Sequence, residues 1–193
     1  MTSWYGCYYT CSAGKHGTGD GKTSESAGCT SCEAGKWTGS TGQSSCTNCA
    51  SGRYGSVVAQ TSESSACPST CVAGKHGTGV GETSESAGCT SCEAGKWTGS
   101  TGQSSCTNCA SGRYGSVVAQ TSESSACPST CVAGKHGTGV GKTSESSGCS
   151  SCVSGKYEGS EAQASCRSSC PAGMHGTGVG ETSESAGCTS CEA

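Results

Sequence analysis

The chain has 193 residues, of which 20 are cysteine and 33 are glycine, and it contains no phenylalanine, leucine or isoleucine. Charged residues make up 13% of the chain and the net charge is −3, so it lacks the basic face that nucleic-acid binding needs. So few large apolar side chains cannot offset the entropy of ordering the backbone. Crosslinks must replace the core, and this cysteine content indicates a disulfide scaffold.

Dense disulfides indicate an oxidising compartment, so we expect an extracellular or cell-surface protein. No apolar run approaches the length of a membrane span, and residues 2–6 leave no room for a signal peptide before Cys7. We interpret the missing signal as truncation. Cys7 resembles the closing cysteine of a preceding loop, and Cys191 opens a loop that does not close.

The first ten residues are predicted to be the end of a truncated preceding module. They contain an aromatic cluster that is either a docking surface or a cap on the first loop. Its members are Trp4, Tyr5, Tyr8 and Tyr9.

From Cys11 onward the chain is an internal repeat, in which residues 23–81 are identical to residues 83–141. The first two blocks of 60 residues each contain three loop types, which carry Gly-Lys-His, Gly-Lys-Trp and Gly-Arg-Tyr in that order. The last full block lacks the third type, so the loop is the interchangeable unit. We predict units at 11–70 (three loops), 71–130 (three loops) and 131–169 (two loops), and a partial unit at 170–193.

Every loop begins with Cys, two residues, Gly, a Lys, Arg or Met, and then an aromatic ring or His. The glycine supplies a turn after the bridge, and the ring can lie against the disulfide. The predicted fold class is small disulfide-rich repeats: an elongated array of short irregular β-hairpin loops. We expect almost no helix and no conventional hydrophobic core.

Cys-Thr-Ser-Cys-Glu-Ala-Gly-Lys-Trp at 89–97, followed by Thr-Gly-Gln-Ser-Ser-Cys-Thr-Asn-Cys at 101–109, resembles the ephrin-receptor-like cysteine-rich repeat, which is similar in style to TNF-receptor modules. The resemblance covers nearly the whole chain from Cys11 and implies an extracellular array of disulfide-closed loops. The chain departs from the family at the aromatic position, where four loops have histidine, and at three junctions. The histidines are His16, His76, His136 and His175, and the three-residue junctions are Cys67–Cys71, Cys127–Cys131 and Cys166–Cys170.

The resemblance and the spacing together favour nine disulfides, although sequence alone does not fix connectivity and interlocked pairings across the short gaps stay open. The favoured pairs are Cys11–Cys29, Cys32–Cys46, Cys49–Cys67, Cys71–Cys89, Cys92–Cys106, Cys109–Cys127, Cys131–Cys149, Cys152–Cys166 and Cys170–Cys188. Cys7 and Cys191 are left over, and we expect them as candidates for intersubunit bridges.

The main alternative to disulfides is zinc, because two Cys-x-x-Cys pairs 13 residues apart can form a four-cysteine site. The candidate sets are Cys29, Cys32, Cys46 and Cys49, and Cys89, Cys92, Cys106 and Cys109. The three-residue junctions interrupt this spacing, and zinc would leave many cysteines without a role. We therefore favour disulfides and expect no metal and no cofactor.

Other motifs carry little chemistry. Each histidine occupies the ring position of one loop type, so packing explains it better than catalysis. The Cys-x-x-Cys pairs lack the βαβ context of a redox motif, and Gly77–Gly81 lacks the Gly-Lys-Ser/Thr ending of a phosphate loop. We expect no enzymatic activity.

Near-identical copies suit a molecule that depends on periodicity. We expect a structural, non-catalytic component of an extracellular filament, appendage or cell-surface coat, which self-associates. Its Ser and Thr residues are either candidates for O-linked glycans or a simple polar surface. The alternative is a ligand-binding or adhesion ectodomain, a receptor-like region in which one or two loops would diverge. An ice-binding protein is less favoured, because the threonines are scattered through loops of unequal length.

Overall fold

The computed structural model describes residues 9–18 and 24–192. The chain divides into two compact units, Met1–Thr90 with Ser100–Ser105, and Ser91–Gly99 with Cys106–Ala193. The aromatic cluster is outside the described residues apart from Tyr9, which is exposed. The block boundaries predicted from the repeat remain predictions.

Eighteen short strands form nine two-stranded sheets in the described part of the chain, each between an odd-numbered strand and the next one. The strands of the first five pairs are β1 (Lys15–Gly17), β2 (Cys29–Ser31), β3 (Lys36–Trp37), β4 (Thr47–Asn48), β5 (Arg53–Tyr54), β6 (Ser69–Thr70), β7 (Lys75–Gly77), β8 (Cys89–Ser91), β9 (Lys96–Trp97) and β10 (Thr107–Asn108). The remaining strands are β11 (Arg113–Tyr114), β12 (Ser129–Thr130), β13 (Lys135–Gly137), β14 (Cys149–Ser151), β15 (Lys156–Tyr157), β16 (Ser168–Ser169), β17 (Met174–Gly176) and β18 (Cys188–Ser190).

Each hairpin encloses one disulfide loop. The first strand follows the Cys-x-x-Gly turn, and the return strand begins at or just after the closing cysteine. In the β1–β2 pair, the antiparallel register places His16 opposite Thr30 and Gly17 opposite Cys29. The prediction of small disulfide-rich repeats built from short β-hairpin loops is therefore confirmed.

Six single helical turns complete the described secondary structure: α1 (Glu25–Gly28), α2 (Glu63–Ala66), α3 (Glu85–Gly88), α4 (Glu123–Ala126), α5 (Glu145–Gly148) and α6 (Glu184–Gly187). The longer loops, whose cysteines are 18 residues apart, each contain one turn, and the loops with a separation of 14 contain none. A four-residue turn thus accounts for the difference in length. The Thr-Ser-Glu-Ser motif explains its position, because the first serine caps the turn: Ser24 Oγ accepts a hydrogen bond from Ala27 N.

The buried interior consists mainly of half-cystines. Of the described half-cystines nine are completely buried, and the other fully buried residues include Ala66 and Ala126. Trp37 packs against Ala66 and the half-cystines Cys49 and Cys67. The ring of one loop therefore covers the bridge of the next loop, whereas the sequence pattern predicts only that a ring lies against a disulfide. All ten valines are on the surface, with exposed fractions of 49–68%.

In the described residues, no helix has both the length and the apolar character needed to cross a bilayer.

We predict that complete reduction abolishes the fold. In the chain-entropy model, closing a loop of about 15 residues stabilises the folded state by roughly 3 kcal/mol, and the valines offer no buried core to replace that contribution. Amide dispersion in a ¹H–¹⁵N NMR spectrum, recorded on the oxidised and the reduced and alkylated chain, measures this. A reduced chain that keeps its dispersed amide signals would contradict the prediction.

Candidate functional site

The structure contains nine disulfides among the described residues, and they join the nine pairs that the resemblance favours. The pairs are Cys11–Cys29, Cys32–Cys46, Cys49–Cys67, Cys71–Cys89, Cys92–Cys106, Cys109–Cys127, Cys131–Cys149, Cys152–Cys166 and Cys170–Cys188. Cys191 is free and exposed, and Cys7 lies outside the described residues. In the first candidate zinc set, the four sulfurs are divided among three disulfides, so they do not converge as free ligands.

Consecutive loops are joined by a recurring backbone hydrogen bond, which we call the clasp. In each clasp, the N–H of a residue at the tip of one loop donates to the carbonyl of the opening cysteine of the preceding loop, over 2.7–2.9 Å. The described residues contain eight clasps: Gly42 to Cys11, Ala59 to Cys32, Gly81 to Cys49, Gly102 to Cys71, Ala119 to Cys92, Gly141 to Cys109, Ala162 to Cys131 and Gly180 to Cys152. They link all nine loops in sequence order.

The donor of every clasp has a left-handed backbone, with φ between 58° and 74°. Three donors are alanine rather than glycine, and a left-handed L-residue costs roughly 1–2 kcal/mol. The hydrogen bond and the surrounding packing therefore hold the backbone in a conformation that alanine rarely adopts. The three residues are Ala59, Ala119 and Ala162.

The glycine of the Cys-x-x-Gly turn lies so close to the clasp donor two loops further on that a larger residue would not fit. A Cβ added to Gly95 would lie 2.6 Å from the carbonyl oxygen of Gly141, itself a clasp donor. The carbonyl of Gly95 in turn accepts a hydrogen bond from the N–H of Cys109, the next opening cysteine. The repeated glycine thus permits three consecutive loops to pack closely.

Charged side chains form short-range pairs beside the hairpins. In the first loop type, Lys15 contacts Glu25 at 3.0 Å, and Lys75 and Lys135 repeat this pair with Glu85 and Glu145. A hydrogen bond from Ser12, followed in importance by one from Lys15, lowers the pKa of Glu25. In the second loop type, Lys36 contacts Glu33 at 2.9 Å and Lys96 contacts Glu93 at the same distance. These pairs are partly or largely exposed and fix local geometry more than they stabilise the fold.

The four histidines have different surroundings despite their equivalent positions. Nδ1 of His16 is buried without a hydrogen-bond partner, and Nδ1 of His76 lies 3.0 Å from the carbonyl oxygen of Gly77. Nδ1 of His136 lies 3.3 Å from Sγ of Cys166, whereas His175 is exposed.

Among the described residues, small clefts lie beside the first and the last copy of the second loop type. The first, of about 300 Å³, is lined by His16, Glu33, Lys36, Ser44, Ser45 and Cys46. The other, of about 220 Å³, is lined by His136, Val153, Lys156, Ser165 and Cys166. Ligand atoms of His136, Cys152 and Cys166 lie within 4.8 Å of one another, but both sulfurs belong to one disulfide and cannot ligate a metal while it is intact.

A scan against protein-family models finds no match to this chain, and a search of curated proteins finds none either. The structure supports a cysteine-rich repeat array, and the relation to the ephrin-receptor-like family rests on the sequence motif alone.

Two glycines test the role of close packing at the clasp. Gly95 and Gly155 both have left-handed backbones, with φ of 75° and 83°, but nothing lies within 4 Å of a Cβ on Gly155. We predict that Gly95→Ala lowers the free energy of unfolding by about 2–4 kcal/mol, because strain and overpacking add, whereas Gly155→Ala costs about 1 kcal/mol. Guanidinium unfolding followed by tryptophan fluorescence compares the two, and equal losses of stability would contradict the role assigned to the Gly141 carbonyl.

Proposed function

We propose that the protein is a structural, non-catalytic component of an extracellular filament, appendage or cell-surface coat. The observation that carries the proposal is the clasp, which recurs with the same polarity at all eight junctions between loops. Each loop is joined to its neighbour by the same backbone atoms, so a further loop can extend the array without a new type of contact. Nine disulfides are also typical of extracellular or secreted proteins.

The distribution of titratable groups supports a non-catalytic role. The histidines recur once per first-type loop, and the lysine that directly precedes three of them pairs with a glutamate of the same loop. In the described residues, these pairs occupy partly exposed surface, where they do not form the desolvated constellation that acid–base catalysis needs.

The exposed valines provide the contacts for self-association in this proposal. Third-type loops carry Val57 and Val58 in one compact unit and Val117 and Val118 in the other, each at least half exposed. In a chain with so little aliphatic surface, the exposure of every valine favours burial against another copy.

Sedimentation velocity and negative-stain microscopy of the oxidised chain, over a wide range of concentrations, test the proposal. We expect concentration-dependent polymers. Replacing Val57, Val58, Val117 and Val118 with Thr is expected to weaken association roughly tenfold or more, because the added hydroxyls lose water on burial. The matched control replaces the neighbouring exposed Ser56 and Ser116 with Thr, which adds methyl groups and is expected to leave association intact.

A chain that stays monomeric at all concentrations would contradict the filament proposal. It would favour the second candidate, a ligand-binding or adhesion ectodomain similar to ephrin-receptor-like repeats. The specific observation behind that candidate is the divergence of the last loops, where Val153 replaces the glutamate of earlier copies, Glu158 replaces a threonine and Met174 replaces a lysine.

A further inference from the structure

The two clefts beside the second loop type differ in charge. In the first, the carboxylate of Glu33 lies 2.9 Å from Nζ of Lys36. Lys36 lowers the pKa of Glu33, and His16 contributes a smaller effect in the same direction. The carboxylate therefore neutralises the cationic side of this cleft, next to Cys46.

In the other cleft, Val153 occupies the position of Glu33 and is 60% exposed. In the described part of the chain, no carboxylate lies within ion-pair distance of Lys156. The nearby carboxylate of Glu158 is buried and accepts a hydrogen bond from the N–H of Ser160. The cleft thus combines Lys156 and His136 without a neutralising carboxylate partner for the lysine.

The two cysteines of the bridge beside this cleft differ in exposure. Cys166 is partly exposed and lines the cleft, whereas its disulfide partner Cys152 is completely buried. Nδ1 of His136 lies 3.3 Å from Sγ of Cys166, and ligand atoms of His136 and both cysteines lie within 4.8 Å of one another. The imidazole therefore contacts the bridge at its Cys166 sulfur.

We propose that the Cys152–Cys166 disulfide is a thiol-exchange site that accepts a small anionic thiol. The incoming thiolate attacks Sγ of Cys166 and the Cys152–Cys166 bond breaks. The electron pair leaves on Sγ of Cys152, which becomes the thiolate. The products are a mixed disulfide at Cys166 and a thiolate at Cys152, so the exchange needs no further oxidant or reductant.

Charge decides which disulfide reacts. Attack requires a negatively charged sulfur to approach the bridge, and positive groups favour both its approach and the thiolate that leaves. Glu33 opposes that approach at the Cys32–Cys46 bridge, and Glu93 occupies the same place in the sequence of the Cys92–Cys106 loop. Val153 removes this opposition at Cys152–Cys166.

The experiment treats the intact oxidised chain with limiting mercaptoacetate, quenches with acid, alkylates free thiols and locates the modified cysteines by tryptic mass spectrometry. Residues 23–81 and 83–141 are identical, so the two glutamate-bearing loops report as one pooled signal, whereas Cys152 and Cys166 lie in unique peptides. We expect the mixed disulfide at Cys166 to form roughly tenfold faster than at Cys46 and Cys106, and the difference to shrink at high ionic strength.

Three matched variants separate charge from size. Val153→Glu restores the residue of the other copies and is expected to slow exchange at Cys166 to their rate, whereas the neutral Val153→Gln of similar size is expected to stay fast. The double variant Glu33→Val and Glu93→Val is expected to accelerate exchange at Cys46 and Cys106. Intact mass under non-reducing conditions verifies that each variant keeps nine bridges.

Equal exchange rates at the three bridges of the starting protein would overturn the proposal. So would a Val153→Gln variant that slows exchange as much as Val153→Glu, because size rather than charge would then control access to Cys166.

Discussion

The clasp between consecutive loops is the interaction on which the rest of the structure depends. A disulfide closes each loop but does not join it to the next one. The clasp makes that connection with backbone atoms, from a left-handed tip residue to the carbonyl of a half-cystine. At Cys32, for example, the N–H comes from Ala59 at 2.8 Å. Since Cys32 is completely buried, its carbonyl would be costly to leave without a partner.

Disulfide, ring and helical turn reinforce the same junction. Trp37 packs on the next loop's bridge and also pairs with Gln60 as a parallel β-bridge, one residue beyond the clasp donor Ala59. The helical turn α2 fills the space before Cys67. The buried disulfides thus take the place of a hydrophobic core, and the backbone hydrogen bonds hold each loop in position against the next one. This division explains how a chain with ten exposed valines folds at all.

The cysteine spacing and the motif predicted the tandem hairpins, because both are local properties of each loop. The helical turns were missed, although Ser24 and its equivalents carry the signal of a capping serine; the high glycine content of the chain outweighed it. The clasp and the packing of Trp37 could not be read from the sequence, because they join residues of different loops. Ala59, Ala119 and Ala162 give no sign of a left-handed backbone until the preceding loop is in place. The cleft beside the Cys152–Cys166 disulfide could not be predicted from the sequence for the same reason, since His136 and Cys166 belong to different loops.

Amide hydrogen exchange at the clasp donors tests the central claim most directly. Ala162 lies in a part of the sequence without an identical copy, so its signal is separate from those of the repeats, whereas the signal of Gly180 is read together with that of Gly81, because residues 175–193 repeat residues 76–94. Both residues are at loop tips, where an unclasped N–H would exchange at the rate of an unstructured peptide. The account predicts slow exchange at both positions in the oxidised chain, clearly slower than at the neighbouring exposed Glu161. Exchange at the unstructured rate would contradict it.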